Sequence, residues 1–94
     1  MFVVVVEFTL NPGFSTQFRE RVRRQAEDSL ELEADCQVFD VCVDPERDNF
    51  VLLYEIYTNR AAFDRHLASA HFLDFDASVR DCIAAKQVAT YHRI

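Results

Sequence analysis

Apolar residues run unbroken from Phe2 to Val6 and return at Phe8, a β-branched stretch of the length a strand needs. Asn11-Pro12-Gly13 closes it, because proline fixes one backbone dihedral and the chain's single glycine permits a positive one. The period then changes. Phe14, Phe18, Val22, Ala26 and Leu30 recur every four residues with Arg19, Arg21, Arg23, Arg24, Glu27 and Asp28 between them, which predicts an amphipathic helix with Ser15 or Thr16 as its N-cap. Cys36–Val43 and Phe50–Tyr57 are again β-branched and aromatic. They flank the turn-forming Asp44–Asn49, so an antiparallel hairpin with a slightly long loop is expected. Helical spacing resumes near Thr58 or Asn59 and runs through Ala62, Phe63, Leu67 and Ala70, then Phe72, Phe75, Val79 and Ile83; Ser69 and Ala70 suit a bend between two shorter helices. Gln87–Ile94 reads as a last strand.

The order strand, helix, strand, strand, helix, strand is that of the ferredoxin-like (βαββαβ) α+β fold, in which two helical regions cover one face of a four-stranded antiparallel sheet. No linker, repeat or low-complexity segment divides the chain, so residues 1–94 are read as one domain. Val3–Val6, Val51–Tyr54 and much of Phe39–Val43 are apolar at both parities, whereas a sheet with one wet face alternates. The helices can cover only one face. A second copy of the chain is the simplest cover for the other, which predicts a homodimer through the sheet faces.

Composition narrows the function classes. Nine phenylalanines in 94 residues are ample for a compact core. A formal charge of -6, with 16 acidic residues, argues against nucleic acid as a partner. The apolar start lacks a basic flank and is too short for a membrane span or a secretory core, so no membrane partner and a cytoplasmic location are expected. Three cysteines without a CxxC fit that compartment; Cys36 and Cys42, roughly 20 Å apart along one strand, are read as small core residues.

Candidate chemistry centres on a few side chains. On a continuous helix His66 and His71 would point about 140° apart, unlike the i, i+4 pair of a zinc helix, so no metal site is assigned. His66 flanks the buried stripe; its bland reading is a half-buried histidine donating to a backbone carbonyl, and that of His71 is a cap at the bend. Glu55 stands mid-strand between Tyr54 and Ile56, where burial demands a partner or a raised pKa, the property of a general base near neutral pH. A salt bridge to arginine is the structural alternative, and Asp40 raises the same question. The arginine run is balanced by the i, i+4 pairs Glu20–Arg24, Arg23–Glu27 and Arg24–Asp28 and reads as a solvated face. Cys82, on the second helical region, has no obvious activating partner.

Several blocks carry a resemblance. Glu33-Ala-Asp-Cys36-Gln-Val-Phe39-Asp40-Val41, then Asp44-Pro45, then Leu53-Tyr54-Glu55-Ile56-Tyr57, then Ala62-Phe63 with His66, Ser69 and His71-Phe72, resemble in order and spacing the antibiotic biosynthesis monooxygenase family. The resemblance implies a ferredoxin-like fold, dimerisation through the sheets, and a cleft between sheet and helices. It implies His66, Glu55 and His71 as catalytic candidates, Tyr57, Phe63, Phe72 and Phe75 as substrate-binding candidates, and no cofactor. Ala34-Asp35 stands where the family usually has Pro-Gly, and Tyr57 where a tryptophan is common. The tryptophan and ligating histidine of related haem degraders are absent at His66 and Asp76, so haem degradation is not expected.

The resulting expectation is a cofactor-independent monooxygenase acting on a small quinol-like or phenolic substrate. An electron-rich dihydroxyarene, once deprotonated, can itself reduce dioxygen, leaving the protein to supply a base, orientation and a dry pocket. The alternatives are an isomerase of a small phosphorylated carbonyl compound, with Arg65, Arg80 or Lys86 as its cationic anchor, and a non-catalytic dimeric binding module. Glu27 stands where the isomerase carries a helix histidine, which counts against the first of these.

Overall fold

The computed structural model describes residues 1–94 and carries the expected order of elements. These are β1 (Phe2–Leu10), α1 (Ser15–Leu32), β2 (Cys36–Asp44), β3 (Arg47–Tyr57), α2 (Arg60–Ala68), α3 (Ala70–Ser78), a 3-10 turn at Arg80–Cys82, and β4 (Ile83–His92). The strands form one antiparallel sheet in the order β2-β3-β1-β4, the ferredoxin-like arrangement.

Register decides which residues meet the helices. Val4 pairs with Glu55 and Thr90, Val6 with Leu53 and Val88, and Phe8 with Val51 and Lys86. Paired residues share a face, so these side chains form one surface, and α1 lays Phe18, Val22 and Ala26 onto it. The Phe8 and Phe18 rings lie 4.9 Å apart, and Phe75 of α3 lies 6.2 Å from Phe18. The opposite face carries Val3, Val5, Leu52, Tyr54, Ile56, Ala89 and Tyr91 with no helix over it, as the two-sided strands predict. Tyr54 and Tyr91 are exposed there.

Several expectations change. The β2–β3 connection is shorter than the loop expected: Asp44 pairs with Arg47, leaving Pro45-Glu46 as the turn. Asp44 accepts from the Glu46 N–H at 2.9 Å and from Arg47 Nε at 2.8 Å, which holds the tight form. Phe14, not Ser15 or Thr16, occupies the α1 N-cap, because the Ser15 hydroxyl donates to the Asp48 carbonyl at 2.8 Å and ties the helix to the hairpin. The second helical region ends at Ser78; Cys82 sits in the 3-10 turn and Ile83 opens β4, where two alanines hide the strand's alternation. Of the expected helix-face pairs Arg24–Asp28 forms, at 4.0 Å, while Arg19 and Arg21 reach across to Asp48 and Asp74. Cys36 is buried, but Cys42 is exposed on the uncovered sheet face and is no core residue.

Candidate active site

The site begins with a break between two short helices. Asn59 starts α2 by accepting the Ala62 N–H at 2.9 Å. Ser69 then leaves helical conformation at φ -70° and ψ 148°. Its N–H and hydroxyl both donate to the His66 carbonyl, at 3.1 and 2.7 Å, while its oxygen accepts the Phe72 N–H at 3.3 Å. One residue thus ends α2 and caps α3, redirecting the chain. The divergence expected on a continuous helix is lost: the His66 and His71 rings converge, with centroids 5.8 Å apart. Ser69, not His71, caps the bend.

Both rings meet Glu33, the residue that follows α1. Its Oε2 lies 2.7 Å from His66 Nδ1 and 2.7 Å from His71 Nε2. The first contact has hydrogen-bond alignment, whereas His71 Nε2 is buried without an aligned partner. Gln25 Nε2 stands 3.2 Å from His71 Nδ1, and Ser29 holds that amide at 3.3 Å. The His66 side chain is only 3% exposed, and it bonds a carboxylate rather than the backbone carbonyl expected. Burial lowers its pKa from the ordinary value, outweighing the opposite pull of Glu33. A neutral imidazole with Nδ1–H donating to Glu33 follows, which leaves the Nε2 lone pair free to accept a proton.

The second polar centre is Glu55 on β3. It faces the helices and is 3% exposed. Its partner is not the arginine considered above but Tyr57, whose hydroxyl donates to Oε1 at 2.6 Å. Burial raises the Glu55 pKa to about 7, against the opposing effects of the Tyr57 bond and the Lys86 charge. Tyr57 is fully buried, with Phe63 and His66 rings each 5.3 Å away, and its phenol is held above its usual range by burial and by Glu55. The Cys36 thiol is pushed up to about 12, chiefly by burial, which removes it as a nucleophile. Asp40 is exposed on β2.

Glu55 and His66 line one narrow cavity between the sheet and α2–α3, about 40 Å³ inside and open at its mouth. Phe39, Phe63, Phe72 and Phe75 supply aromatic walls; Gln25 and Lys86 are the other polar residues on its surface. No hydrogen bond joins Glu55 to His66. Tyr57 and His71 do not line the cavity; they contact Glu55 and Glu33 respectively. Arg65 and Arg80 lie elsewhere, paired with Asp35 and Asp76. Sequence reasoning gave no role to Glu33, Gln25 or Phe39. Gln25 carried a signal, a polar residue between Val22 and Ala26 on the apolar stripe of α1.

Glu33, His66 and His71 bring one oxygen and two nitrogens within 4.8 Å of one another, a donor set that suits a divalent transition metal. The two oxygen–nitrogen separations of 2.7 Å are nevertheless hydrogen-bond lengths. A tetrahedral zinc shell with bonds near 2.0–2.1 Å would hold its ligands about 3.3 Å apart. The observed spacing is that of one hydrogen bond, from His66, and one close contact, from His71.

Sheet, helix layer and intervening aromatic cavity define a ferredoxin-like domain with a small-molecule cleft. The family pattern described as antibiotic biosynthesis monooxygenase matches residues 1–78, and the chain belongs to that family. Its fold is shared by a Nitrosomonas europaea protein assigned to the same family, at 25% identity and a TM-score of 0.94 over 100% of this chain and 99% of that one. A Pseudomonas aeruginosa protein matches at 22% identity and a TM-score of 0.91 over 99% and 93%. A Shewanella oneidensis protein matches at 24% and 0.89 over 98% and 89%. No curated protein matches the chain. At the level of the family, the chain is associated with monooxygenation. No helix is long and apolar enough to cross a membrane.

Proposed function

We propose that this chain is a monooxygenase of a small quinol-like or phenolic substrate, working with no metal or organic cofactor in the chemical step. The observation that supports it is His66: a buried imidazole, fixed through Nδ1 to Glu33 at 2.7 Å, on the wall of an aromatic cavity that also holds Glu55. His66 Nε2 takes a phenolic proton. The arenolate reduces dioxygen by one electron, and the radical pair combines at a ring carbon as a hydroperoxide. His66 returns its proton to the peroxide oxygen and, neutral again, takes the proton of that carbon, which breaks the O–O bond as Glu55, protonated below about pH 7, donates to the leaving oxygen. Quinol and dioxygen thus give a hydroxyquinone and water, every electron coming from the substrate.

Isomerisation of a phosphorylated compound needs several donors around a dianion. Lys86 is the one cation on this cavity surface and most of the wall is apolar, so the quinol reading takes precedence. Family members are commonly dimers, and we read the uncovered sheet face as this chain's dimer interface. A stable monomer by light scattering at micromolar concentration would overturn that part.

The test of the activity is oxygen uptake by metal-stripped protein across a panel of quinols. Uptake in the wild type, falling by about 10²-fold or more in His66→Ala, is the expected result. A wild type that consumes no oxygen with any electron-rich phenol would sink the proposal and leave the non-catalytic binding module standing.

A further inference from the structure

We propose that Lys86 forms an anion-binding subsite at the cavity mouth, so that the substrate is a phenol or quinol bearing a carboxylate. For the reaction this rests on the quinol reading above; for binding it stands by itself.

Lys86 pairs with Phe8 across β1 and β4, so its side chain rises from the face that meets the helices. Its Nζ lies 5.6 Å from the centroid of the Phe8 ring and 6.0 Å from that of Phe72, at the exposed edge of the apolar wall. Its neighbour on the same face, Val88, is 52% exposed, so the cavity opens along β4.

The charge placement is the stronger argument. The chain has 16 acidic and 10 basic residues, and six of its arginines sit in ion pairs. Lys86 has no carboxylate within ion-pair distance, although carboxylates are plentiful. The one acid on the cavity surface is Glu55, which Tyr57 engages; the Lys86 charge acts on it, but from beyond ion-pair distance. An unpaired cation beside an aromatic slot recognises a flat ring with one negative substituent. A monoanion matches a single ammonium, whereas a phosphate dianion would leave charge uncompensated. The proposed orientation sets the ring among Phe39, Phe63 and Phe72, its hydroxyl toward His66 and its carboxylate toward Lys86, both of which line the cavity.

Fluorescence titration under nitrogen, comparing 6-hydroxy-2-naphthoate with 2-naphthol at pH 7, tests this without oxygen chemistry. The wild type should bind the naphthoate about tenfold more tightly, as one charge-assisted hydrogen bond allows. That preference should shrink between about 0.05 and 0.5 M salt. Lys86→Met should erase the difference between the two probes, and Lys86→Arg should keep it. Equal binding of both by the wild type, a preference that survives Lys86→Met, or an equal loss for both probes in that variant would each overturn the subsite. Absent oxygen uptake combined with an intact, Lys86-dependent preference would remove the reaction reading and leave the subsite.

Discussion

Two carboxylates stand by the cavity in opposite environments, Glu55 on its wall and Glu33 behind His66. Glu33 ends a helix, is 16% exposed, and stands against two imidazoles, one of which donates to it. Glu55 sits mid-strand, 3% exposed, with a single tyrosine hydroxyl for company. For Glu55 loss of water outweighs its one hydrogen bond, and the carboxyl titrates near 7. Glu33 instead fixes the tautomer and direction of a histidine. In the proposed reaction, donors and water access alone separate identical side chains into a proton carrier and a positioning group.

The sharpest way to break this comparison is to neutralise each carboxyl in turn and follow oxygen uptake against pH. Glu55→Gln is expected to lower kcat by about 10²-fold or more and to abolish the alkaline limb near pH 7. Glu33→Gln is expected to cost on the order of tenfold, as loss of a histidine's orienting partner does elsewhere. It should also move the acid limb down, because Glu33 is one of the influences that raise the His66 pKa. Matching shifts in the two variants would erase the division of roles.

Stability gives a smaller effect that does not depend on substrate. The Glu55 pKa rises from 4.5 to about 7 on folding, so its ionised form is the one the native state disfavours. The protonated group's contribution is complete below pH 4.5 and is lost as pH rises through about 7, a change of about 3 kcal/mol. Urea unfolding at pH 5 and pH 8 should show wild type losing most of that amount relative to Glu55→Gln. A parallel pH dependence in the two proteins would contradict the raised pKa.

The fold was legible because periodicity reports burial directly: the β1 run, the four-residue stripe of α1 and the β3 run each appear as elements. Glu55 was legible for a similar reason, a charge among apolar strand positions. The Glu33 cluster was not. It depends on where α1 ends relative to α2, a tertiary relation between residues 33 positions apart in the chain. Helical geometry even pointed the wrong way, since the angle between His66 and His71 assumes a continuity that Ser69 interrupts. Lys86 was visible only as one of three candidate anchors, because the pairing of Arg65 and Arg80 and the place of Lys86 on the cavity are tertiary facts.

Ser69 supplies the finest test of the Glu33 side. Ser69→Ala removes the hydroxyl that caps α3 and bonds the His66 carbonyl, which should cost about 1 kcal/mol in urea unfolding. Alanine also favours helix, so the break weakens and His71 is free to turn away from Glu33. His71 is one of the influences that lower the His66 pKa, while Glu33 raises it. Releasing His71 therefore moves the acid limb of the activity profile upward, opposite in sign to Glu33→Gln, with the Glu55 limb left in place. An acid limb that stays fixed in Ser69→Ala despite the lost stability would show that the helix break serves the fold alone and that His71 has no influence on His66.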